Sequence, residues 1–290
     1  MRQGQKTYFI QARSASGNIS SIKTHVFLMD FMQPLSASQI KKNLNTSLIG
    51  SEILVFDKID STNNRIRSYF DRKEGIVIIA DSQTKGKGRF GRSWLSSKGV
   101  GIYLSTLLKP QAPPQQLSPI TLMAGVASVL ALDGFSKIKP TLKWPNDILI
   151  NGRKLGGLLC ECCLSSDDSK GLIIGIGINV NHTEFPGALA QTATSLRMEN
   201  GAPVDRVALI RSLIAHLDRE YASFILEGPL PVVRKWSDCT TMFGKTVTLT
   251  RGGTVIRGTA TQLDEQGRLG VLTEKNEEVF FCGGEVTLFE

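Results

Sequence analysis

The chain has 290 residues, a formal net charge of +8, 41% apolar and 21% charged residues, an ordinary globular composition with room for one large domain and a small one. No apolar run approaches the ~18 residues a membrane span needs, and residues 1–37 contain no apolar core leading to a small-residue cleavage site, so a cytoplasmic protein without membrane association is expected. Much of the charge is local: residues 1–50 hold six Lys and Arg against one acid but no helix-turn-helix pattern, so DNA binding is not expected.

Residues 1–34 are polar and weakly patterned, and read as a flexible extension or as an artefact of start-codon choice upstream of Met29 and Met32. Residues 35–44 suit a short helix capped by Ser36 or Ser38. A strand at 53–56, a helix at 61–70 and strands at 76–80 and 100–108 follow. Pro113-Pro114 then introduce a long helical pattern, with Leu117, Ile120, Ala124 and Ala127 on one face. Strand segments at 141–144 and 147–150 lead into the turn Asn151-Gly152, and 155–163 is the returning strand of a hairpin. Another strand covers 172–180, and 204–226 is a second long amphipathic helix. After Gly228-Pro229 the pattern changes. Five short β runs, at 246–250, 255–263, 269–272, 279–282 and 286–289, predict a small SH3-like barrel. The expected division is an extension at 1–34, an α+β domain at 35–238 and an all-β domain at 239–290.

The five cysteines form no CxxC pair and the three histidines are scattered, so no zinc pattern is present and buried free thiols are expected. Cys160 and Cys162 should share one face of their strand, with Cys163 on the other.

The densest chemistry lies in Gly86-Lys-Gly-Arg-Phe-Gly-Arg92, where Lys87, Arg89 and Arg92 alternate with glycines ahead of Trp94. Closely spaced glycines let a backbone approach a ligand, and arginine forks match phosphate or carboxylate. The spacing is not that of a Walker loop. Asp60-Ser61-Thr62-Asn63 joins a strand to a helix, where hydroxyl, amide and free N–H groups grip a small polar head or simply cap the helix. Lys143-Trp144-Pro145-Asn146-Asp147 presents an amide beside a carboxylate. That pair suits a hydrated magnesium carrying nucleotide phosphates, or a turn held by its own side chains. The hairpin holds Lys154 a short distance from Asp147, with Gly156-Gly157 beside it. Gly175 and Gly177 remove side chains from one face of a strand, which weakens it unless the space is needed.

Taken in order, these motifs resemble the signature of biotin protein ligases over residues 35–290, including Gly283-Gly284-Glu285-Val286 in the small β domain. The resemblance implies a class II synthetase-like α+β catalytic domain with a mixed sheet and flanking helices. It also implies a two-step reaction, in which biotin and ATP form biotinyl-5′-AMP and a lysine of a biotin carboxyl carrier protein then takes the biotin. By the same resemblance, Ser61, Thr62 and Gln83 hold the ureido head, with Asn63, Lys87, Gly88 and Gly157 also lining the biotin site. Gly175 and Gly177 floor it. Lys154 holds the carboxylate or α-phosphate oxygens, and Arg89 and Arg92 hold phosphates. Asn146 and Asp147 bind magnesium or phosphate, Asn179 the nucleotide, and Trp94 packs against the ordered loop.

Two departures stand out. The family usually has arginine where this chain has Lys87, which keeps the charge but loses the bidentate fork, so altered retention of the adenylate is expected rather than loss of activity. No N-terminal DNA-binding domain is evident, which implies the monofunctional class, as monomer or homodimer. Lipoate ligases and lipoyl or octanoyl transferases share the fold class and are the alternative. The transferases use a cysteine, and Cys160 and Cys162 follow Lys154 closely.

Overall fold

A computed structural model describes residues 34–110, 119–164 and 170–288. Ala37–Lys41 (α1), Ile53–Ile59 (β1), Thr62–Arg67 (α2), Val77–Gln83 (β2) and Gly101–Leu108 (β3) come first. Next are Ile120–Leu132 (α3), Thr141–Lys143 (β4), Asp147–Ile150 (β5), Arg153–Leu164 (β6) and Lys170–Asn179 (β7). Helices Leu189–Thr192 (α4), Leu196–Asn200 (α5), Arg206–Glu227 (α6) and Leu230–Asp238 (α7) complete the larger part. Thr246–Arg251 (β8), Thr254–Leu263 (β9), Leu269–Thr273 (β10), Glu278–Phe281 (β11) and Glu285–Leu288 (β12) form the smaller one.

The larger sheet is mixed, in the order β1-β2-β3-β7-β6-β5-β4; β1 and β2 run parallel and the remaining pairs are antiparallel. The smaller is antiparallel throughout, in the order β11-β10-β9-β8-β12.

Strand alternation divides the larger sheet into two faces. Val77, Ile79, Ile102, Leu104, Ile174, Ile176 and Ile178 join the main core beneath α3 and α6. Ile76, Ile78, Leu107 and Ile173 join a smaller cluster with Ile66 and Phe70, from α2 and the turn after it. α2 covers only part of that second face, and the uncovered part carries the site described below.

The expected elements in the described residues are present, with two short helices, α4 and α5, that were not expected and three corrections. α3 is buried almost all round rather than along one stripe; only Leu130 is exposed. It lies between α6, α7 and the sheet, where Ala124, Gly125, Ala127 and Ser128 let its neighbours come close, Leu142 above all. Leu230–Asp238 is a further helix beyond the point where the helical pattern was expected to end. Proline opens helices as well as stopping them: Pro229 takes the N-cap position of this one and Pro231 sits in its first turn. The cysteines are free but not all buried: Cys162 and Cys282 are exposed. Cys160 and Cys163 do face opposite sides, toward the main core and the α2 cluster. Residues 1–33 of the expected extension, Pro113, Pro114 and Leu117, and Phe289 lie outside the described residues. No described helix is long and apolar enough to cross a membrane.

Asp218 of α6 ties the loop after α1 to the helical layer. Its carboxylate accepts from Ser47 N and Oγ, Leu48 N and Ile49 N at 2.7–3.0 Å. Asp218→Ala leaves these donors unpaired at a buried site. It is expected to cost about 3 kcal/mol, read from the urea unfolding midpoint.

Candidate active site

Sheet register builds the floor of the site. Asp147 pairs with Gly157, Gly157 with Gly177 and Gly177 with Tyr103, so two glycines lie side by side on the open face. One row over, Leu159 pairs with Gly175 and Gly175 with Ser105. A β-bulge between β5 and β6, at Ile148/Leu149, alters the alternation of β6, and Lys154 lines the cavity together with Gly157 although the two are an odd number of residues apart. Above this strip lies a cavity of about 710 Å³, lined by every site residue expected from the sequence. Its size falls within the range of about 300–1,000 Å³ typical of small-ligand sites.

One end of the cavity is cationic. Lys154 Nζ lies 2.6 Å from Asp147 Oδ1, and Lys143 Nζ is 3.9 Å from Asp147 Oδ2. Burial pushes the Lys143 amine below its ordinary range. Lys143 was not expected in the site, although its place four residues before Asp147, within the same motif, is a signal for it. Asn146 Nδ2 donates to Leu158 O at 2.8 Å, leaving its carbonyl for Arg89, whose Nη1 donates at 3.2 Å.

The basic loop covers this end. Gly88 N donates to Arg92 O at 2.7 Å and Trp94 N to Gly86 O at 2.9 Å, closing a tight turn with Phe90 at φ 55° and Gly91 at φ 73°. Phe90 is 67% exposed at the tip, under the Arg89 guanidinium at 4.8 Å. The loop also reaches the smaller sheet: Arg89 Nη1 donates to Gly284 O at 3.1 Å, and Arg92 Nη2 pairs with Glu285 at 2.6 Å. Burial lowers the Arg89 pKa, but an arginine keeps its charge.

The other end is polar and uncharged. Ser61 occupies the N-cap position of α2, yet its hydroxyl makes no capping bond. Gln83 does that work instead, its Oε1 accepting from Thr62 N at 2.7 Å. Gln83 Nε2 donates to Ser96 Oγ at 2.8 Å, so only one amide proton remains for a ligand. Ser105 Oγ donates to Asn63 Oδ1 at 2.6 Å and lies 2.7 Å from Thr62 Oγ1.

Two expectations need correction. The space above the glycines is occupied by protein rather than left for a bicyclic ligand. A Cβ on Gly177 would fall 2.5 Å from the Trp94 indole, and one on Gly175 would fall 2.1 Å from Asn63 Oδ1. The glycines seat Trp94 and Asn63, and these two side chains line the cavity together with them. Trp94 also lies beneath Lys154, whose Nζ is 5.6 Å from the indole ring. Asn179 is committed to the backbone, its Nδ2 donating to Thr194 O at 3.1 Å and Lys154 O at 3.4 Å, so only its carbonyl is left for a nucleotide.

His182 was not expected here. It is 4% exposed and stacks on Phe185, a cavity residue, with ring centroids 5.0 Å apart. Neither ring nitrogen has a hydrogen-bond partner among the described residues, and burial holds its pKa down to about 4. The unfolded chain therefore takes up this proton first as pH falls from 6.5 toward about 4, and the fold loses stability across that window. His182→Leu is expected to flatten this part of the acid-side decline, measured as the urea midpoint against pH.

A family model described as the biotin/lipoate A/B protein ligase family matches residues 55–179, and a model of the biotin protein ligase C-terminal domain matches residues 242–288. The bifunctional ligase/repressor BirA of Bacillus spizizenii is 34% identical over 245 residues, covering 83% of this chain and 75% of that protein. The biotin–[acetyl-CoA-carboxylase] ligase of Mycobacterium tuberculosis is 32% identical over 200 residues, 68% of this chain and 73% of that protein. Among solved structures, biotin protein ligase from Aquifex aeolicus in complex with biotin and ATP aligns with a TM-score of 0.74 at 32% identity, covering 82% of this chain and 99% of that one. Fold, cavity and both matched regions define a protein ligase of the biotin/lipoate group. Within that group the chain belongs to the biotin protein ligase family.

Proposed function

We propose that the cavity binds biotin and ATP together, forms biotinyl-5′-AMP and pyrophosphate, and passes the biotin to a lysine of a biotin carboxyl carrier protein in the cytoplasm. The observation that carries this reading is the polarity of the cavity: an uncharged hydrogen-bonding end at Ser61, Thr62, Asn63 and Gln83, and a cationic end at Arg89, Arg92, Lys143 and Lys154. Such a cavity suits a ligand with a neutral polar head and an anionic tail that must meet a second anion.

In the first step a biotin carboxylate oxygen attacks the α-phosphorus, and the bond to the pyrophosphate oxygen breaks. Two anions resist that approach. Lys154 and Arg89 reduce the repulsion and stabilise the charge that develops on the departing oxygens. Lys154 is preorganised by Asp147 at 2.6 Å, and the incoming anion shares or replaces that partner. In the second step the uncharged carrier amine attacks the acyl carbon, and AMP leaves with the bonding electrons. The loop from Lys87 to Trp94 keeps water from the mixed anhydride in between.

The donor set fits a magnesium ion that enters with the triphosphate rather than a resident one. Magnesium takes one or two carboxylates and fills its remaining positions with phosphate oxygens and water. Asp147, with Asn146 beside it, would supply the protein ligand, and no cluster of three or more His, Cys, Asp and Glu that could hold a metal occurs among the described residues. Bound there, magnesium would neutralise phosphate charge.

The transferase alternative needs a reactive thiolate. Neither Cys160 nor Cys162 lines the cavity, and burial pushes the Cys160 thiol up to about 12, which keeps it protonated.

The direct test is transfer of biotin to a purified carrier domain. Transfer is expected only with ATP present, and its absence with ATP, or its persistence without it, would refute the reading. Lys154→Ala is expected to reduce pyrophosphate release by about 100-fold or more, as for loss of one preorganised charge-stabilising donor. Arg89→Ala is expected to let the adenylate escape, seen as biotin attached to lysines of an unrelated bystander protein.

A further inference from the structure

Glu161 lies on β6 just beyond the glycine strip, and two separate elements converge on its carboxylate. From α2, Asn63 Nδ2 donates to Oε2 at 2.7 Å and Arg67 Nη2 lies 3.2 Å from Oε1. From the basic loop, Lys87 Nζ approaches Oε1 at 3.9 Å. Asn63 and Arg67 are four residues apart, so one face of the helix presents both. The Glu161 side chain is 25% exposed, which strengthens these contacts relative to surface pairs.

A carboxylate in such company only accepts hydrogen bonds. It therefore favours one way for the Asn63 amide to face, a choice that Leu159 O, accepting from the same Nδ2 at 3.5 Å, also supports. The NH2 group points at Glu161, and the carbonyl points to Ser105 Oγ and the space beside Gly175. A carbonyl oxygen has two acceptor positions, and Ser105 uses one of them. No other donor among the described residues takes the second, and Asn63 is a cavity-lining residue.

We infer that Glu161 is a positioning residue that sets the donor–acceptor pattern of the head subsite and, through Lys87, ties the stem of the basic loop to that same subsite. The inference rests on the biotin reading given above. A cyclic urea offers N–H donors, which need an acceptor opposite them. An Asn63 turned the other way would set donor against donor, and a subsite built to pair with a ligand N–H rejects a mismatched partner strongly. Lys87, where the resemblance drawn from the sequence implies arginine, meets this carboxylate with a single ammonium, which suffices for a group already held by two other partners.

Glu161→Gln tests this in the full chain. Glutamine keeps the size, but it carries a donor as well as an acceptor and no charge for Lys87 or Arg67. The KM for biotin is expected to rise about tenfold, the equivalent of one well-placed hydrogen bond. The KM for ATP and the melting temperature should be unchanged, while free biotinyl-AMP appears in solution faster than with the wild type. Adding Lys87→Met to Glu161→Gln should release no more adenylate than Glu161→Gln alone, because both changes cut one tether. An active wild type whose Glu161→Gln variant keeps the original KM for biotin and the original adenylate release would overturn the inference and leave the biotin reading intact. Equal losses in both KM values with a lowered melting temperature would show a purely structural residue and also overturn it. A wild type that fails to biotinylate a carrier with ATP would remove the biotin reading itself. Lys87→Met alone, at a half-exposed site, covers the case of an unfolded Glu161→Gln protein: faster adenylate release supports the tether, and unchanged release refutes it.

Discussion

The site depends on a row of missing side chains. Gly157 and Gly177 pair directly across β6 and β7, and Gly175 lies one row away on the same face. Each such glycine weakens a strand by roughly 0.5–1 kcal/mol relative to alanine. The offset is volume: the Trp94 indole fills the space over Gly177, and the Asn63 amide fills the space over Gly175. Those two residues belong to different connections, the basic loop and the start of α2. The glycine row is therefore where the loop and the polar head subsite are brought onto one sheet. Any side chain there would push both away together.

Charge is the second constraint. The cations gathered around one cavity repel one another, and the fold distributes carboxylates to hold several of them. Asp147 lies between Lys154 and Lys143, and Glu285 pairs with Arg92. Glu161 receives Lys87 and Arg67. An anionic ligand thus enters a site that is already oriented, so less reorganisation is left for the moment of reaction. The contacts from Arg89 and Arg92 to Gly284 and Glu285 also make the smaller sheet part of the cavity wall.

Much of the site was legible because its motifs are local. Gly86 to Trp94, Lys143 to Asp147 and the hairpin carrying Lys154 each bring their groups together within a few residues. Ser61 to Asn63 do the same at the mouth of α2. What escaped notice has long-range causes. Glu161 and His182 are single residues in unremarkable runs, and their neighbours come from elements up to 98 residues away in sequence. The capping role of Gln83 escaped notice for the same reason: a distant strand caps α2, which no spacing rule reveals. The all-round burial of α3 depended on how many layers surround it, a property of the fold and not of the helix.

By itself the sequence determined the order of the strands and the long helices, the change to an all-β C-terminal part and the identity of many of the cavity-lining polar groups. Periodicity, turn chemistry and motif spacing act over short stretches of chain, and those stretches carry that information. Only the tertiary structure decided what the glycines are for, which carboxylate each cation meets, and which way the Asn63 amide turns. These outcomes depend on register across β5, β6, β7 and β3 and on the bulge beside Lys154. A shift of one residue in any of these pairings would exchange the faces and dissolve the site.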